Sequence, residues 1–243
     1  MMNREEILKF KEGLDDLNVY LSEKQYKQFH MFFDMLQEKN KVMNLTAITE
    51  GVGIVQKHFI DSLTIVKAED MMEIDNMIDI GTGAGFPAIP IKIAFPHVEM
   101  VLVDSLDKRV NFVNEVIEAL DLKKIRCIHG RAEDLGHDPQ LREKFDLCVS
   151  RAVANLAVLA EYCMPFVKPQ KGSFVAYKAG DLHEEIDMAR NSVNMMGGEI
   201  KQEIGFFLPY SDISRSLIWI QKEMRTPKMY PRKAGIPSKS PIE

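Results

Sequence analysis

Gly81, Gly83 and Gly85 alternate through residues 77–86, MIDIGTGAGF, and Asp104 ends a second apolar run, VLVDS, 23 positions beyond Gly81. An apolar run that enters a glycine turn presents bare backbone, and a carboxylate at the end of the next run sits beside it. In an open α/β sheet both lie at the carboxyl edge, where ligands bind. The chemistry on offer is the holding of a nucleotide-like cofactor, with close backbone approach at Gly81 and Gly83 and ribose hydroxyls for Asp104. A dinucleotide fingerprint, G-x-G-x-x-G, would place its third glycine where Phe86 stands. The G-x-G-x-G spacing suits S-adenosylmethionine better, because that cofactor has no phosphates. A dinucleotide stays open on these residues, as does a turn without ligand, which three glycines make costly in backbone entropy.

Three further loops should end at the same edge. In Gly130-Arg131-Ala132-Glu133-Asp134 the backbone and Glu133 are placed to meet the adenine end of a cofactor; the competing reading is a polar strand-to-helix loop. Arg151 follows an apolar strand, where its fork of donors suits a cofactor carboxylate or an RNA phosphate. A structural ion pair is the alternative. Lys178, in Tyr177-Lys178-Ala179-Gly180, is suited to phosphate or simply to solvent.

Other chemistries lack their residues. The fourth strand runs into Ser150-Arg151-Ala152-Val153, not the Asp/Asn-Pro-Pro-aromatic segment that holds an exocyclic amine. The chain has no Pro-Cys dipeptide for attack on cytosine C5, and no Ser-His-Asp order. What remains is a nucleophile needing little activation. Guanine N7 is one, since its lone pair is free in the neutral base and catalysis reduces to proximity and orientation.

These loops need a scaffold. Residues 4–18 space Ile7, Leu8, Phe10, Leu14 and Leu17 as a helix, and Ser22 with Gln25 forms a capping box for a second helix bearing Phe29, Phe32, Phe33 and Leu36. A third amphipathic helix is expected over 52–66. Strands are then expected near 77–80, 99–103, 125–128, 145–149, 173–177, 200–207 and 216–222, with helices near 87–95, 107–120, 155–164 and 181–194. This alternation predicts a parallel sheet covered on both faces. The last two strands, joined by about eight residues, must be antiparallel, because a parallel crossover needs more chain. A parallel sheet with an antiparallel last strand favours the Rossmann-like sheet of class I S-adenosylmethionine-dependent methyltransferases over the fully parallel dinucleotide-binding sheet. The expected organisation is an N-terminal helical cap over 1–55, a cofactor-binding domain over 56–224 and a basic tail over 225–243.

Composition bounds the rest. The 243 residues are 46% apolar, enough for a sizeable core, with no run near the length of a membrane span and no apolar leader. Cys127, Cys148 and Cys163 lack C-x-x-C spacing and read as buried thiols of a cytoplasmic protein; the six histidines show no zinc spacing, so no metal is expected. Net charge is −5, yet residues 225–243 hold five basic residues against one acid, which leaves −9 on the remainder. On charge alone the tail is either an anion-binding arm or a solvated terminus.

The turn GTGAGFP, the VDS after the second strand, the GRAED loop, SRAVA, YKAG and the ending YPRKAGIPSKSPI resemble, in order, the bacterial 16S rRNA (guanine-N7)-methyltransferases, once called glucose-inhibited division protein B. The resemblance runs from the helical amino end to the last residues. It implies S-adenosylmethionine as cofactor, a guanine in the 530 loop of 16S rRNA as substrate, and a monomer acting on the rRNA or small ribosomal subunit. Position by position, it implies that Gly81 and Phe86 line the methionine and adenosine parts of the cofactor site. Ala132 and Glu133 would meet the adenine end, Arg151 would close the pocket, and Asp104 matches the usual ribose-binding acid. Arg131, Lys178, Arg232 and Lys233 are expected RNA contacts, from charge and position.

Overall fold

A computed structural model describes residues 2–242. Seven strands, β1 (Asn76–Ile80), β2 (Glu99–Asp104), β3 (Ile125–His129), β4 (Leu147–Arg151), β5 (Ser173–Lys178), β6 (Gly198–Phe207) and β7 (Ser214–Lys222), form one sheet in the order β3-β2-β1-β4-β5-β7-β6. Pairing is parallel from β3 to β5, and β7 lies antiparallel to both β5 and β6. This is the class I S-adenosylmethionine-dependent methyltransferase fold, with the hairpin at its edge as expected.

Alternation along the strands sorts the core into two layers. Met77, Met100, Leu102, Leu147, Val149 and Val175 face one way, Ile78, Ile80, Val101, Val103, Cys148 and Phe174 the other. The first face receives the cap, with α1 (Arg4–Asp16) and α2 (Glu23–Met43), plus α5 (Ala88–Ala94) and α6 (Asp107–Ala119). Both cap helices begin in capping boxes, Asn3 with Glu6 and the expected Ser22 with Gln25. Gln25 does double duty: its Nε2 donates to the carbonyls of Ile93 and Ala94 at the end of α5, at 2.7 and 3.0 Å. Phe10, Phe29, Phe32 and Phe59 are fully buried around one another, Phe59 within 5.2 Å of Phe29 and 5.6 Å of Phe32. Burial of each such ring contributes about 2–3 kcal/mol, so the cap is sewn to the sheet.

The helix expected over 52–66 is not one regular helix. It runs as α3 (Gly51–Ile54), a π-helical stretch (Val55–Ile60), α4 (Asp61–Leu63) and a 3-10 turn (Thr64–Lys67). Phe59 and Ile60 bury inward, while Lys57, His58 and Asp61 line the cleft above the sheet edge. A π-helical turn changes angular spacing, and such turns recur at functional sites. The boundary expected at residue 55 falls inside this run.

The opposite face carries α8 (Leu156–Cys163), capped by the Asn155 side chain, and α9 (His183–Met195). One-turn helices α7 (Ala132–Leu135) and α10 (Ile236–Lys239) were too short to predict. Three strands start two residues from the expected position, β6 at Gly198 among them. Phe145 makes only an isolated bridge to Val167, so β4 starts at Leu147, and β7 starts at Ser214, which brings Arg215 into the sheet. The tail folds back onto this second face. Tyr230 and Pro237 are buried, and Arg142 donates to the carbonyls of Gly136, Thr226, Pro227 and Tyr230. No helix among the described residues is long and apolar enough to cross a membrane.

Candidate active site

β1 and β2 deliver the glycine turn and Asp104 to the same edge. The N–H groups of Gly81 and Thr82 donate to Val103 O at 2.9 and 3.0 Å, tying the turn to the neighbouring strand. Gly81 has φ +76°, which side chains rarely adopt, and a Cβ there would lie 2.4 Å from Val153 Cγ2. The methyl that sequence reasoning expected to intrude on a cofactor would meet Val153 first. Asp104 is 3% exposed and already partnered. Its Oδ2 accepts the Gly83 N–H at 2.8 Å, its Oδ1 accepts the Leu106 N–H at 2.9 Å, and Arg109 Nη1 lies 3.6 Å away. Each oxygen keeps a second lone pair for a hydroxyl.

Above this edge lies a crevice of two compartments that meet at Gly81. The smaller, about 130 Å³, is lined by Val103, Asp104, Arg131, Ala132, Glu133 and Tyr162. The larger, about 500 Å³, is lined by Gly83, Phe86, Lys57, Arg151, Lys178 and Arg215. The first is acidic, the second basic.

Arg151 is the hub of the larger compartment. Its Nη1 donates to Asp61 Oδ2 at 2.6 Å and lies 3.3 Å from Ser62 Oγ, and its guanidinium sits 5.2 Å from the centre of the Phe86 ring. The other carboxylate oxygen of Asp61, Oδ1, accepts from Arg215 Nε at 3.0 Å. One buried carboxylate therefore holds two guanidiniums side by side. His58 stacks on Phe86, with ring centres 4.6 Å apart and planes within 15°. Burial, then the charge of Arg151, pushes its pKa down to about 3, so the ring is neutral. Its Nδ1 faces Arg151 Nη2 at 3.5 Å and accepts; Nε2 then carries the proton toward Thr46 Oγ1, 2.8 Å away. The ion-pair alternative for Arg151 and its position in the pocket are both realised.

Asp79, separated from the turn by Ile80, has no exposure, and the Thr82 hydroxyl and the Ala88 N–H face its carboxylate only at the margin of hydrogen-bond geometry. Burial raises the Asp79 pKa to about 7, although Thr82, the Ala88 N–H and Arg151 pull it part of the way back. A carboxyl so buried relieves the cost of its charge by holding a proton, which is what the raised pKa expresses.

The expected cations separate. Arg131 and Lys233 are exposed. Lys178 lines the larger compartment with two donors used, on Ala154 O at 2.8 Å and Glu185 Oε1 at 2.5 Å. Arg232 is half-buried and ion-paired. Its Nε and Nη2 grip Glu161, which is 1% exposed, at 2.7–3.1 Å, and Nη2 also reaches Ser240 O. Sequence reasoning missed Thr46, His58, Asp61, Asp79 and Arg215. An acid closing the apolar strand ahead of a glycine turn, and His58 with Asp61 at helical i,i+3 spacing, were the available signals.

Comparison with known proteins bears on what this crevice does. The family model described as GidB, rRNA small subunit methyltransferase G, matches residues 25–208. A ribosomal RNA small subunit methyltransferase G of Lachnoclostridium phytofermentans is 48% identical over 96% of this chain and 96% of its own length. One of Acetivibrio thermocellus is 49% identical over 95% and 94%. Among solved structures, the antibiotic-resistance methyltransferase Kmr superposes with a TM-score of 0.51 over 62% of this chain and 87% of its own, at 16% identity, which speaks to fold alone.

Proposed function

Because the chain belongs to the rRNA small subunit methyltransferase G family, we propose that it methylates N7 of a guanine in the 530 loop of 16S rRNA, guanine 527 in the family. Its cofactor is S-adenosylmethionine, which supplies an electrophilic methyl on a sulfonium. The residues present fit that group. Glu133, Ala132 and Asp104, in the smaller, acidic compartment, would hold the nucleoside. Gly81, Gly83 and Phe86 would hold the methionine portion beside the turn, with Asp79 buried beneath it. Arg151 would close the pocket.

The observation that carries N7 is the state of the larger compartment's titratable groups. His58 is neutral with both nitrogens engaged, Asp61 is spent on two arginines, and the Tyr177 hydroxyl donates to Ser62 O at 2.7 Å with its pKa raised by burial. None is poised as a general base. Guanine N7 needs none. Its lone pair forms the new N–C bond while the electrons of the S–C bond stay on sulfur, and the positive charge passes to the ring without loss of a proton. Arg151 and Arg215 carry further N–H donors suited to guanine O6, and adenine offers an amine there instead. Unstacked loop bases are the usual targets of such pockets, and Arg131, Lys178 and Lys233 are the proposed phosphate contacts. The test is to treat small ribosomal subunits lacking this modification with enzyme and S-adenosylmethionine, then map the product by cleavage at N7-methylguanine. Methyl incorporation without such cleavage eliminates N7.

A further inference from the structure

The tail carries the charge of an RNA arm, yet its polar contacts run inward. Arg232 enters a two-pronged pair with buried Glu161, reinforced by its own backbone N–H on Glu161 Oε1 at 2.6 Å. Thr226 N–H donates to Glu143 Oε1 at 3.0 Å, and His137 Nε2 donates to Pro231 O at 2.7 Å. Pro231 in turn packs where a Cβ on Gly136 would sit, 2.7 Å from its Cγ. So anchored, the chain turns at Gly235, whose φ of +82° points its N–H at Glu133 Oε1, 2.9 Å away.

Glu133 is 5% exposed and lines the smaller compartment. The Gly235 N–H occupies one of its oxygens and thereby fixes the plane of the carboxylate. Tyr162, the neighbouring wall, has its pKa raised by burial and then by Glu133, and the hydroxyl of Ser238, a tail residue, acts on it as well. Tail residues thus reach two groups of the same compartment, and they do so from the second face of the sheet.

We infer that the C-terminal segment is a positioning element for cofactor binding: the Arg232–Glu161 pair holds Gly235 against Glu133, and Glu133 so held receives the hydrogen-bond donors of the cofactor's nucleoside. Glu133 is the binding residue; Arg232, Glu161 and Gly235 act through it. The inference rests on the placement of the nucleoside at Glu133 proposed above. It assigns the tail a role that operates with no RNA present, while exposed Lys228 and Lys233 stay free for phosphate.

Calorimetric titration of the full-length protein with S-adenosylmethionine, without RNA, tests this. Arg232→Ala and Glu133→Ala should each weaken binding about tenfold, the scale of one hydrogen bond to a charged group. The double variant should be no weaker than about tenfold, because residues acting through one contact are not additive. Glu161→Gln, which keeps the side-chain shape, should repeat Arg232→Ala, and cooperative melting of each variant confirms folding. A Kd within about twofold of the unsubstituted protein in a folded Arg232→Ala overturns the inference, above all if rRNA methylation falls, which would make the tail an RNA arm. Additive loss, about a hundredfold in the double variant, also overturns it, since the tail would then act elsewhere. An unchanged Kd in Glu133→Ala fails differently: it removes the nucleoside from Glu133 and takes the inference with it.

Discussion

The cap and the tail pack on opposite faces of one sheet, and each brings polar groups to one end of the crevice. The cap reaches the reaction end with His58 and Asp61, which hold Arg151 and Arg215. The tail reaches the other end with the Gly235 N–H, which holds Glu133. Their anchorage differs in kind. Buried phenylalanines bind the cap into the sheet's own core, whereas the tail rests on carbonyl contacts from Arg142, one ion pair and a few buried side chains such as Tyr230. Segments with few buried apolar contacts open at lower free energy than the core. Damage to the cap end should therefore cost fold and reaction together, while damage to the tail end should register mainly as cofactor affinity.

Asp61→Ala is the strongest way to break that contrast. It leaves Arg151, half-buried and beside Arg215, without its carboxylate. Removing one member of a buried pair costs about 3–5 kcal/mol, a fall in Tm of about 10 °C for a chain of this size. Methyl transfer should drop more than about a hundredfold. Calorimetric melting and single-turnover assays read the two losses, and a stable, active variant would show that the arginines do not need Asp61.

Arg232→Ala comes next. Glu161 stays buried but keeps the Arg232 backbone N–H, so about 2 kcal/mol is expected, a Tm fall of about 5 °C. The single-turnover rate at saturating cofactor should stay within about threefold. A loss of rate equal to that of Asp61→Ala would erase the distinction between the two ends. Gly81→Ala probes the junction that both ends share. The +76° φ and the contact with Val153 should cost about 1–2 kcal/mol, and cofactor affinity should fall about tenfold as Val153 is displaced. Binding at full strength would show slack in the turn.

The last probe is pH. Asp79 titrates near 7 when folded, against 3.8 for the ordinary group. Its folded pKa is raised, so the native state holds the extra proton between those values. Stability of the cofactor-free protein should fall as pH rises from about 4 to about 7, and level off above. A cationic cofactor bound above the turn favours the charged form of Asp79 through space, as Arg151 does, so S-adenosylmethionine affinity should rise over pH 6 to 8 by at most about tenfold per unit. Asp79→Asn should flatten that profile in calorimetric titrations. A profile equally steep in the variant assigns the proton to another group.

How much could be read in advance varies with the range of the interaction involved. Strand periodicity and the glycine spacing are local, and the sheet, the turn and Asp104 follow from them. His58 and Asp61 share a helical face in the sequence, but their partners Arg151 and Arg215 lie about 90 to 150 residues away, out of reach of any local pattern. The π-helical stretch exists through packing of Phe59 and Ile60 against Phe10 and its neighbours. Arg232 misled for the same reason. Its charge is plain in the sequence, but Glu161, its partner, lies 71 residues away, buried within α8.

By itself the amino-acid sequence determined the order of strands and helices, the antiparallel closing hairpin, the glycine turn facing Asp104 and, through its resemblance, the family. Those properties rest on side-chain period, turn chemistry and loop length, which act over a few residues. Tertiary structure alone decided which charges are spent and which are open. It joined Asp61 to two arginines, Arg232 to Glu161 and Gly235 to Glu133, and it buried Asp79 completely. Whether a charged group binds a ligand or its own protein depends on what burial brings within 3 Å, and partners 70 to 150 residues apart meet only when the sheet has closed.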